Sequence, residues 1–281
     1  MPDAHRLLTL LRQAAILSRA TAGRVGHVVH LQDADDVMIL GDLHGNMANF
    51  ALALNKAQLE RHPRRHLIVQ ELIHGTFRYP DGSDKSHQAV DLWAALKCRF
   101  PHRVHYLPGN HELAQWTNRP IAKADLDLNA SFLDGVRFAY GADGQSIYSA
   151  YLDLFRSLPL AIRLPHRIFV CHTVPTLRDQ QSCDWRRLES AELTADDAQP
   201  GGLIYALTWG RDVSAPTAAA FLEKVDADLL ITGPIPCDQG FPTPNDRQLI
   251  LDSLGSPAAV CLCPADRPLT LTELLTCVQI L

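Results

Sequence analysis

The chain has 281 residues, of which 47% are hydrophobic and 20% are charged, and its formal net charge is −5 at pH 7. This composition predicts a soluble globular protein with a sizeable core, and the lack of a basic surplus argues against nucleic acid as a partner. The seven cysteines are scattered and show no paired CxxC spacing. They are therefore predicted to be reduced thiols rather than disulfides or a structural zinc site.

Residues 1–24 are predicted to form an amphipathic helix that packs on the core. Apolar residues at positions 7, 8, 11, 15, 16 and 17 fall on one helical face. Arg12 interrupts the apolar stretch, which is not the layout of a secretory signal. No stretch reaches the roughly 20 continuous apolar residues of a membrane span. We therefore expect a cytoplasmic protein with no membrane partner.

The remaining elements alternate between strands and helices along the chain. Strands are predicted at 25–31, 36–40, 66–72, 104–107, 160–164, 167–171, 228–232, 248–252 and 258–263. Helices are predicted at 47–60, 85–100, 203–209 and 216–225, with mostly helical patterns over 112–157 that include 146–157. We find no repeat or long linker, so the sequence predicts one α/β domain over residues 1–281, with its core at 36–263.

Polar side chains follow four of the predicted strands at the point where each strand ends. They are Asp42 and His44, Glu71 and His74, Asn110 and His111, and His172. Because the carboxyl ends of strands in open α/β sheets converge on one crevice, we expect these side chains to meet. Carboxylate, imidazole and amide groups are ligands that suit manganese, iron, zinc or magnesium. A structural zinc site would instead be held by thiolates. The sequence therefore predicts a divalent metal site.

The spacing around Asp42 has a physical reason. Asp42 and His44 lie at positions i and i+2, so an extended backbone sends both side chains to one side. Gly41 and Gly45 let the main chain pass close to an ion. The alternative is a polar turn in which an Asp or Asn caps the helix 47–60, and a similar helix cap is the alternative for Asn110.

Four segments in the order expected for one family carry a resemblance. "GDLHGN" (41–46) and "GNHE" (109–112) resemble the first and third signatures of calcineurin-like metallophosphoesterases, closest to the phosphoprotein phosphatase branch. "FVCHTVP" (169–175) and "GGLIYALTWGRD" (201–212) resemble later segments of that branch. The resemblance runs from about residue 36 to 240. It implies a four-layer α/β/β/α fold, a β-sandwich flanked by helices.

The resemblance also implies a role for each predicted ligand. Asp42 and His44 would hold a first metal ion, Glu71 would bridge, and Asn110 and His172 would hold a second ion. Two ions roughly 3.5–4 Å apart activate a bridging water and polarise a phosphoryl group for in-line attack. Manganese is the expected metal, with iron or zinc as alternatives.

Four further residues are predicted to act in catalysis by the same resemblance. His111 would be the general acid or would orient the leaving oxygen, with Glu112 supporting it. Arg211 would stabilise charge on the phosphoryl oxygens, with a surface salt bridge as the alternative. His74 stands near the position of an arginine that holds phosphate in the family.

Two departures from the family pattern are visible. In place of Gly-Asp-x-x-Asp-Arg-Gly, residues 70–75 read QELIHG, so Glu71 replaces the bridging aspartate and the bidentate arginine is lost. Where the family often has Gly-His after strand 228–232, this chain has Gly233 followed by Pro234. Cys237 or Asp238 would substitute only if the loop bends back. The sequence therefore leaves open whether one or two ions bind.

The function predicted first is metal-dependent hydrolysis of a phosphomonoester, with a Ser/Thr phosphoprotein as the preferred substrate. The small-molecule alternative is a nucleotide-type phosphoester. The third alternative is a non-catalytic binding or scaffold protein with a degenerate metal site. The sequence predicts no oligomeric state.

Overall fold

The computed structural model describes residues 3–190 and 192–281. Its strands are β1 (Arg24–Val25), β2 (Val28–His30), β3 (Asp36–Asp42), β4 (Arg65–Gln70), β5 (Val104–Leu107), β6 (Ala122–Lys123), β7 (Leu126–Asp127), β8 (Ala161–Leu164), β9 (Ile168–Cys171), β10 (Leu229–Thr232), β11 (Gln248–Ile250), β12 (Ala259–Pro264) and β13 (Val278–Ile280). Its α-helices are α1 (Ala4–Arg19), α2 (Met47–Ala57), α3 (His87–Arg99), α4 (Asn110–Thr117), α5 (Leu128–Tyr140), α6 (Gly144–Ser157), α7 (Leu177–Ser182), α8 (Arg187–Ser190), α9 (Leu203–Trp209), α10 (Ala215–Lys224) and α11 (Leu271–Leu275).

The strands form two large sheets and a small hairpin. The five-stranded sheet has the order β13-β12-β3-β4-β5, in which β3, β4 and β5 run parallel. The six-stranded sheet has the order β1-β2-β8-β9-β10-β11, and β8 and β9 form an antiparallel hairpin. The hairpin of β6 and β7 stands apart from both sheets. The parallel strands in both sheets explain why so many polar strand ends point to one edge.

Three apolar clusters define four layers. Ile39 of one sheet and Val170 of the other belong to a cluster between the two sheets. Trp93 and Tyr151 belong to a second cluster, in which α1, α2, α3, α5 and α6 cover the outer face of the five-stranded sheet. Phe221 belongs to a third, which joins α4, α8, α9 and α10 to the six-stranded sheet. The predicted arrangement of helices, two sheets and helices is confirmed.

The structure differs locally from the predicted elements. The strand predicted over 25–31 is divided into β1 and β2, because Gly26 turns the chain with a φ of 58°. The region 112–157, predicted as mostly helical, also contains the β6–β7 hairpin. After the last predicted strand, the chain forms α11 and β13. Within residues 3–190 and 192–281, none of the helices is long and apolar enough to cross a bilayer.

Candidate functional site

The site lies where the carboxyl ends of three strands meet. Asp42 ends β3, Glu71 follows β4, and His172 follows β9. Asn110 opens α4 directly after β5. Residues from both sheets therefore reach one place, as the strand-end pattern predicts.

The backbone of the site is held in an uncommon conformation. His44, Glu71 and His74 have φ values of 43°, 36° and 63°, in the left-handed region that non-glycine residues rarely adopt. Gly41 is required where β3 passes the opposite sheet, because a Cβ there would lie 1.7 Å from the carbonyl oxygen of Leu251. Strained residues of this kind cluster at functional sites, where the surrounding fold enforces them.

The ligand atoms of Asp42, Glu71 and His172 lie within 4.8 Å of one another, and all three residues are buried. His44 Nε2 lies 3.4 Å from Glu71 Oε2 and 3.9 Å from Asp42 Oδ2. Among the described residues, Asp42 Oδ1 and both ring nitrogens of His172 find no hydrogen-bond partner. Buried polar atoms are nearly always satisfied, so this cluster has the donor set and the free lone pairs of a divalent metal site.

Burial and mutual charge set the protonation of this cluster. Burial, reinforced by the charge of Glu71, raises the pKa of Asp42 well above its ordinary value. Burial alone would raise the pKa of Glu71, but the histidines at 111, 172 and 44 lower it below the usual range. Burial lowers the pKa of His172, and it lowers the pKa of His111 to about 3. Both imidazoles are therefore neutral at physiological pH, the form in which a ring nitrogen can ligate or accept a proton.

His44 and Glu112 are oriented by backbone groups. His44 Nδ1 lies 2.9 Å from the carbonyl oxygen of Ile73, which leaves Nε2 free to face the carboxylates. Glu112 Oε1 accepts from the N–H groups of Leu72 and Ile73 at 3.0 and 3.2 Å, and Oε2 accepts from the N–H of Gly109 at 2.8 Å. The Glu112 carboxylate thus ties the loop after β4 to the start of α4.

The rings of His111 and His74 are neighbours and are tilted by 53° to each other. Their centroids are 5.1 Å apart, and the N–H of His111 donates to Glu71 Oε1 at 2.9 Å. His74 Nδ1 lies 3.2 Å from Asp84 Oδ2, and both of those side chains are fully buried. Within the described part of the chain, His74 Nε2 and His111 Nδ1 have no hydrogen-bond partner. His74 therefore contacts both the ring of His111 and the carboxylate of Asp84.

Arg211 reaches the site from the end of α9. Its Nη2 donates to Asn110 Oδ1 at 2.6 Å, and its Nη1 donates to the carbonyl oxygens of Gly210 and Thr208 at 2.6 and 3.1 Å. The arginine is thus held by backbone acceptors and directed at the amide of Asn110.

The wall after β10 carries Gly233 and Pro234, and a Cβ on Gly233 would lie 2.4 Å from Asp42 Oδ1. Asp252 also lines the site, although the motifs did not single it out. Its Oδ2 accepts from the N–H of Cys237 at 3.0 Å, and its Oδ1 accepts from the N–H of Leu254 at 2.9 Å. Asp252 ends the strand predicted at 248–252, so the strand-end criterion itself would have found it.

These residues enclose a cavity of about 130 Å³. The sequence-predicted residues in its lining are Asp42, His44, Glu71, Asn110, His111 and Arg211. The described residues that line the cavity do not include His172, His74 or Glu112. Motif reading missed Asp84 because no recognised signature contains it, and only its burial against His74 reveals it.

Comparisons with known proteins agree with this geometry. The sequence profile of the calcineurin-like phosphoesterase family matches residues 36–233. A probable serine/threonine-protein phosphatase of Encephalitozoon cuniculi is 26% identical over 235 residues, which is 76% of this chain and 46% of that protein. The chain thus spans about half the length of this curated relative.

Two solved structures share the fold at low sequence identity. A protein serine/threonine phosphatase from Saccharomyces cerevisiae has a TM-score of 0.69 at 15% identity, over 99% of this chain and 89% of that one. The cold-active protein-tyrosine phosphatase of a Shewanella species has a TM-score of 0.55 at 14% identity, over 94% of this chain and 84% of that one. Together with the profile match across most of the chain, these findings show that the protein belongs to the calcineurin-like phosphoesterase family.

Proposed function

We propose that this protein is a metal-dependent phosphatase that hydrolyses phosphoserine or phosphothreonine monoesters in proteins. One observation carries the proposal. Asp42, Glu71 and His172 converge within 4.8 Å in a buried position, with free lone pairs on Asp42 and His172. His44 stands at 3.4 Å from this group. The family and the curated relative, a probable serine/threonine-protein phosphatase, support the reaction class and the substrate class.

Manganese is the metal we propose, since carboxylate and imidazole ligands both suit it. A bound divalent ion supplies a water of lowered pKa and polarises the phosphoryl oxygens. His44 is already fixed for ligation by its bond to the Ile73 carbonyl.

The protein's own residues would provide binding and proton transfer. His111 lines the cavity next to Asn110, where it would orient the leaving oxygen, or protonate it after its own ring has taken up a proton. Arg211 lines the same cavity, where its guanidinium would stabilise charge on the phosphoryl oxygens. Glu112 accepts from three backbone N–H groups and so holds the loop after β4 and the start of α4 in place.

We infer a positioning role for His74 and Asp84. Because His74 lies outside the described lining of the cavity, it is poorly placed to hold phosphate itself. Its Nδ1 is bonded to Asp84, and its ring lies 5.1 Å from the ring of His111, centroid to centroid. Held by Asp84, the ring of His74 would keep the ring of His111 in place by packing against it.

The scaffold alternative accounts less well for the unpartnered atoms. A buried polar atom without a hydrogen bond costs about 1–3 kcal/mol, and this site carries several of them. A protein that no longer bound metal would have no ligand to offset that cost.

The test is hydrolysis by the purified chain with added Mn²⁺. Phosphoserine and phosphothreonine peptides, p-nitrophenyl phosphate and a nucleoside monophosphate are compared, and bound metal is counted in each preparation. We expect metal-dependent release of phosphate from the peptides, which is lost in Asp42→Asn but kept in Asp238→Asn, a matched change at an exposed aspartate. A chain that stays inert and metal-free after manganese is added would support the scaffold instead.

A further inference from the structure

We propose that the centre holds one divalent ion and that the guanidinium of Arg211 takes the place of a second. The inference rests on the proposed function, since it concerns the same site. The protein would then have a mononuclear metal centre, in which the guanidinium of Arg211 supplies the second positive group.

The first argument is the spacing of the ligand atoms. Among the described residues, the ligand atoms of Asp42, Glu71 and His172 lie within 4.8 Å of one another, close enough to bind the same ion. His44 Nε2 lies 3.4 Å from Glu71 Oε2, and His172 Nδ1 lies 3.4 Å from Asp42 Oδ1. His44 Nε2 also lies 3.9 Å from Asp42 Oδ2. Asp42, Glu71 and His172 can therefore share one ion, with His44 beside Glu71.

The second argument is that Asn110 is already occupied. Its amide oxygen is the donor that a second ion would require, but that oxygen accepts from Arg211 Nη2 at 2.6 Å. The arginine is fixed there by two further bonds to the carbonyl oxygens of Gly210 and Thr208. An always-charged guanidinium hydrogen-bonded to the same oxygen competes directly with a cation for it.

The third argument is the wall beyond Asn110. Gly233 and Pro234 line the cavity and offer no side-chain donor. The substitutes considered from the sequence do not restore one, since Cys237 and Asp238 lie outside the described lining. Asp252 is in the lining, but both of its oxygens already accept backbone N–H groups. A second ion would therefore compete with Arg211 for Asn110 and with these backbone N–H groups for Asp252.

The arrangement has a chemical consequence. Three of the five N–H groups of an arginine are used by these bonds, so two remain for phosphoryl oxygens. Arg211 would then neutralise charge on one side of the phosphate while the ion and its water act from the other. The bidentate arginine that the 70–75 segment lacks would thus be replaced from α9.

The inference is tested by metal counting and Mn²⁺ electron paramagnetic resonance on the full chain. We expect one Mn²⁺ per wild-type chain with the six-line spectrum of an isolated ion. Asn110→Ala should bind that ion within about threefold of the wild-type affinity, because Asn110 is not among its ligands. The double variant Arg211→Ala/Pro234→His should bind two ions that are spin-coupled. The matched control is Pro234→His with Arg247→Ala, an exposed arginine, and it should still bind one.

Each contrary result has a separate meaning. A wild-type chain that binds two coupled ions and hydrolyses phosphopeptide overturns the mononuclear centre and leaves the proposed function intact. A chain that binds no metal and is inert overturns both. Loss of more than tenfold in affinity in Asn110→Ala makes Asn110 a ligand and contradicts the inference even if the double variant fails to fold. A folded double variant that binds one ion contradicts the role of Arg211.

Discussion

The two ends of the parallel strands β3, β4 and β5 differ in whether their buried polar groups have hydrogen-bond partners. At the amino ends, Arg65 donates to both oxygens of Asp36 and to the carbonyl of Ala57, and Lys97 donates to three oxygens. At the carboxyl ends, Asp42 Oδ1 and the nitrogens of His172 lack partners among the described residues. Folding alone explains the first end, while the second end carries unpaired atoms that could bind a metal ion.

The difference teaches how to separate structural from functional charge in one fold. Buried charge that the chain satisfies by itself contributes to stability and specificity, and its loss leaves a partner unpaired. Buried polar atoms that stay unpaired carry a cost, which a bound ligand at the carboxyl end would offset. Changes at the two ends should therefore act on different measurements.

The largest effect is expected at the carboxyl end. His111→Ala should lower kcat by about 10²–10⁴-fold, the range for loss of a general acid or base. Bound metal should not change, because it is the backbone N–H of residue 111 that bonds Glu71. Phosphopeptide hydrolysis and metal content measure this, with His62→Ala at an exposed histidine as the control. Wild-type turnover in His111→Ala would remove this side chain from the mechanism.

A smaller effect is expected at Asp84, whose Oδ2 lies 3.2 Å from His74 Nδ1. Asp84→Asn should lower kcat by about 10-fold with an unchanged KM, the scale for a group that orients another. The asparagine oxygen can still accept from the N–H of Ser86, as Asp84 Oδ1 does at 2.8 Å, but an NH₂ would face His74 Nδ1. The tautomer of His74 should therefore switch, which its ring ¹⁵N shifts report.

Asp81→Asn is the matched control for this change, since Asp81 lies exposed in the same loop. It should alter neither kcat nor the ¹⁵N shifts. If Asp84→Asn switched the tautomer of His74 without any loss of kcat, His74 would be uncoupled from His111.

Much of the site follows from the sequence because its logic is local. The residues Asp42, Asn110 and His172 each come at or directly after an apolar strand, and strand ends in a parallel sheet converge whatever the detailed packing. Glu112 shows where such reasoning ends. Its bonds run to backbone N–H groups about 40 residues away, so they depend on the left-handed conformation at Glu71. Asp84 was missed for a similar reason, since only tertiary contact with His74 marks it.

The fold was predictable to the same degree. Long apolar strands such as β3 and β4 carry their own signal, and so does the β8–β9 hairpin. The β6–β7 hairpin has two residues in each strand, all of them exposed, and therefore no alternation to detect. The same strands could have formed one mixed sheet. What divides them is pairing, since β2 joins β8 while β3 joins β4, and local pattern does not encode pairing.

The effect expected at the amino end is of another kind, a slope of stability with pH. Lys97 is 1% exposed, and its Nζ bonds Thr21 Oγ1 and the carbonyl oxygens of Pro101 and Val104. Burial, with a contribution from Arg24, lowers its pKa from 10.5 to about 7. Between those two values the unfolded chain binds a proton that the folded chain does not. The contribution of Lys97 to stability should therefore rise as pH increases from about 7 to about 10.

Lys97→Met removes this proton linkage. The free energy of unfolding of the wild type, relative to the variant, should rise by up to about 1.4 kcal/mol per pH unit across this window. Urea unfolding at pH 7.5, 8.5 and 9.5 measures the slope, and Lys56→Met at an exposed lysine should leave it at the wild-type value. Parallel profiles for wild type and Lys97→Met would mean that Lys97 stays charged in the fold. The amino end would then hold a buried ammonium satisfied by three oxygens, and the contrast with the carboxyl end would become sharper still.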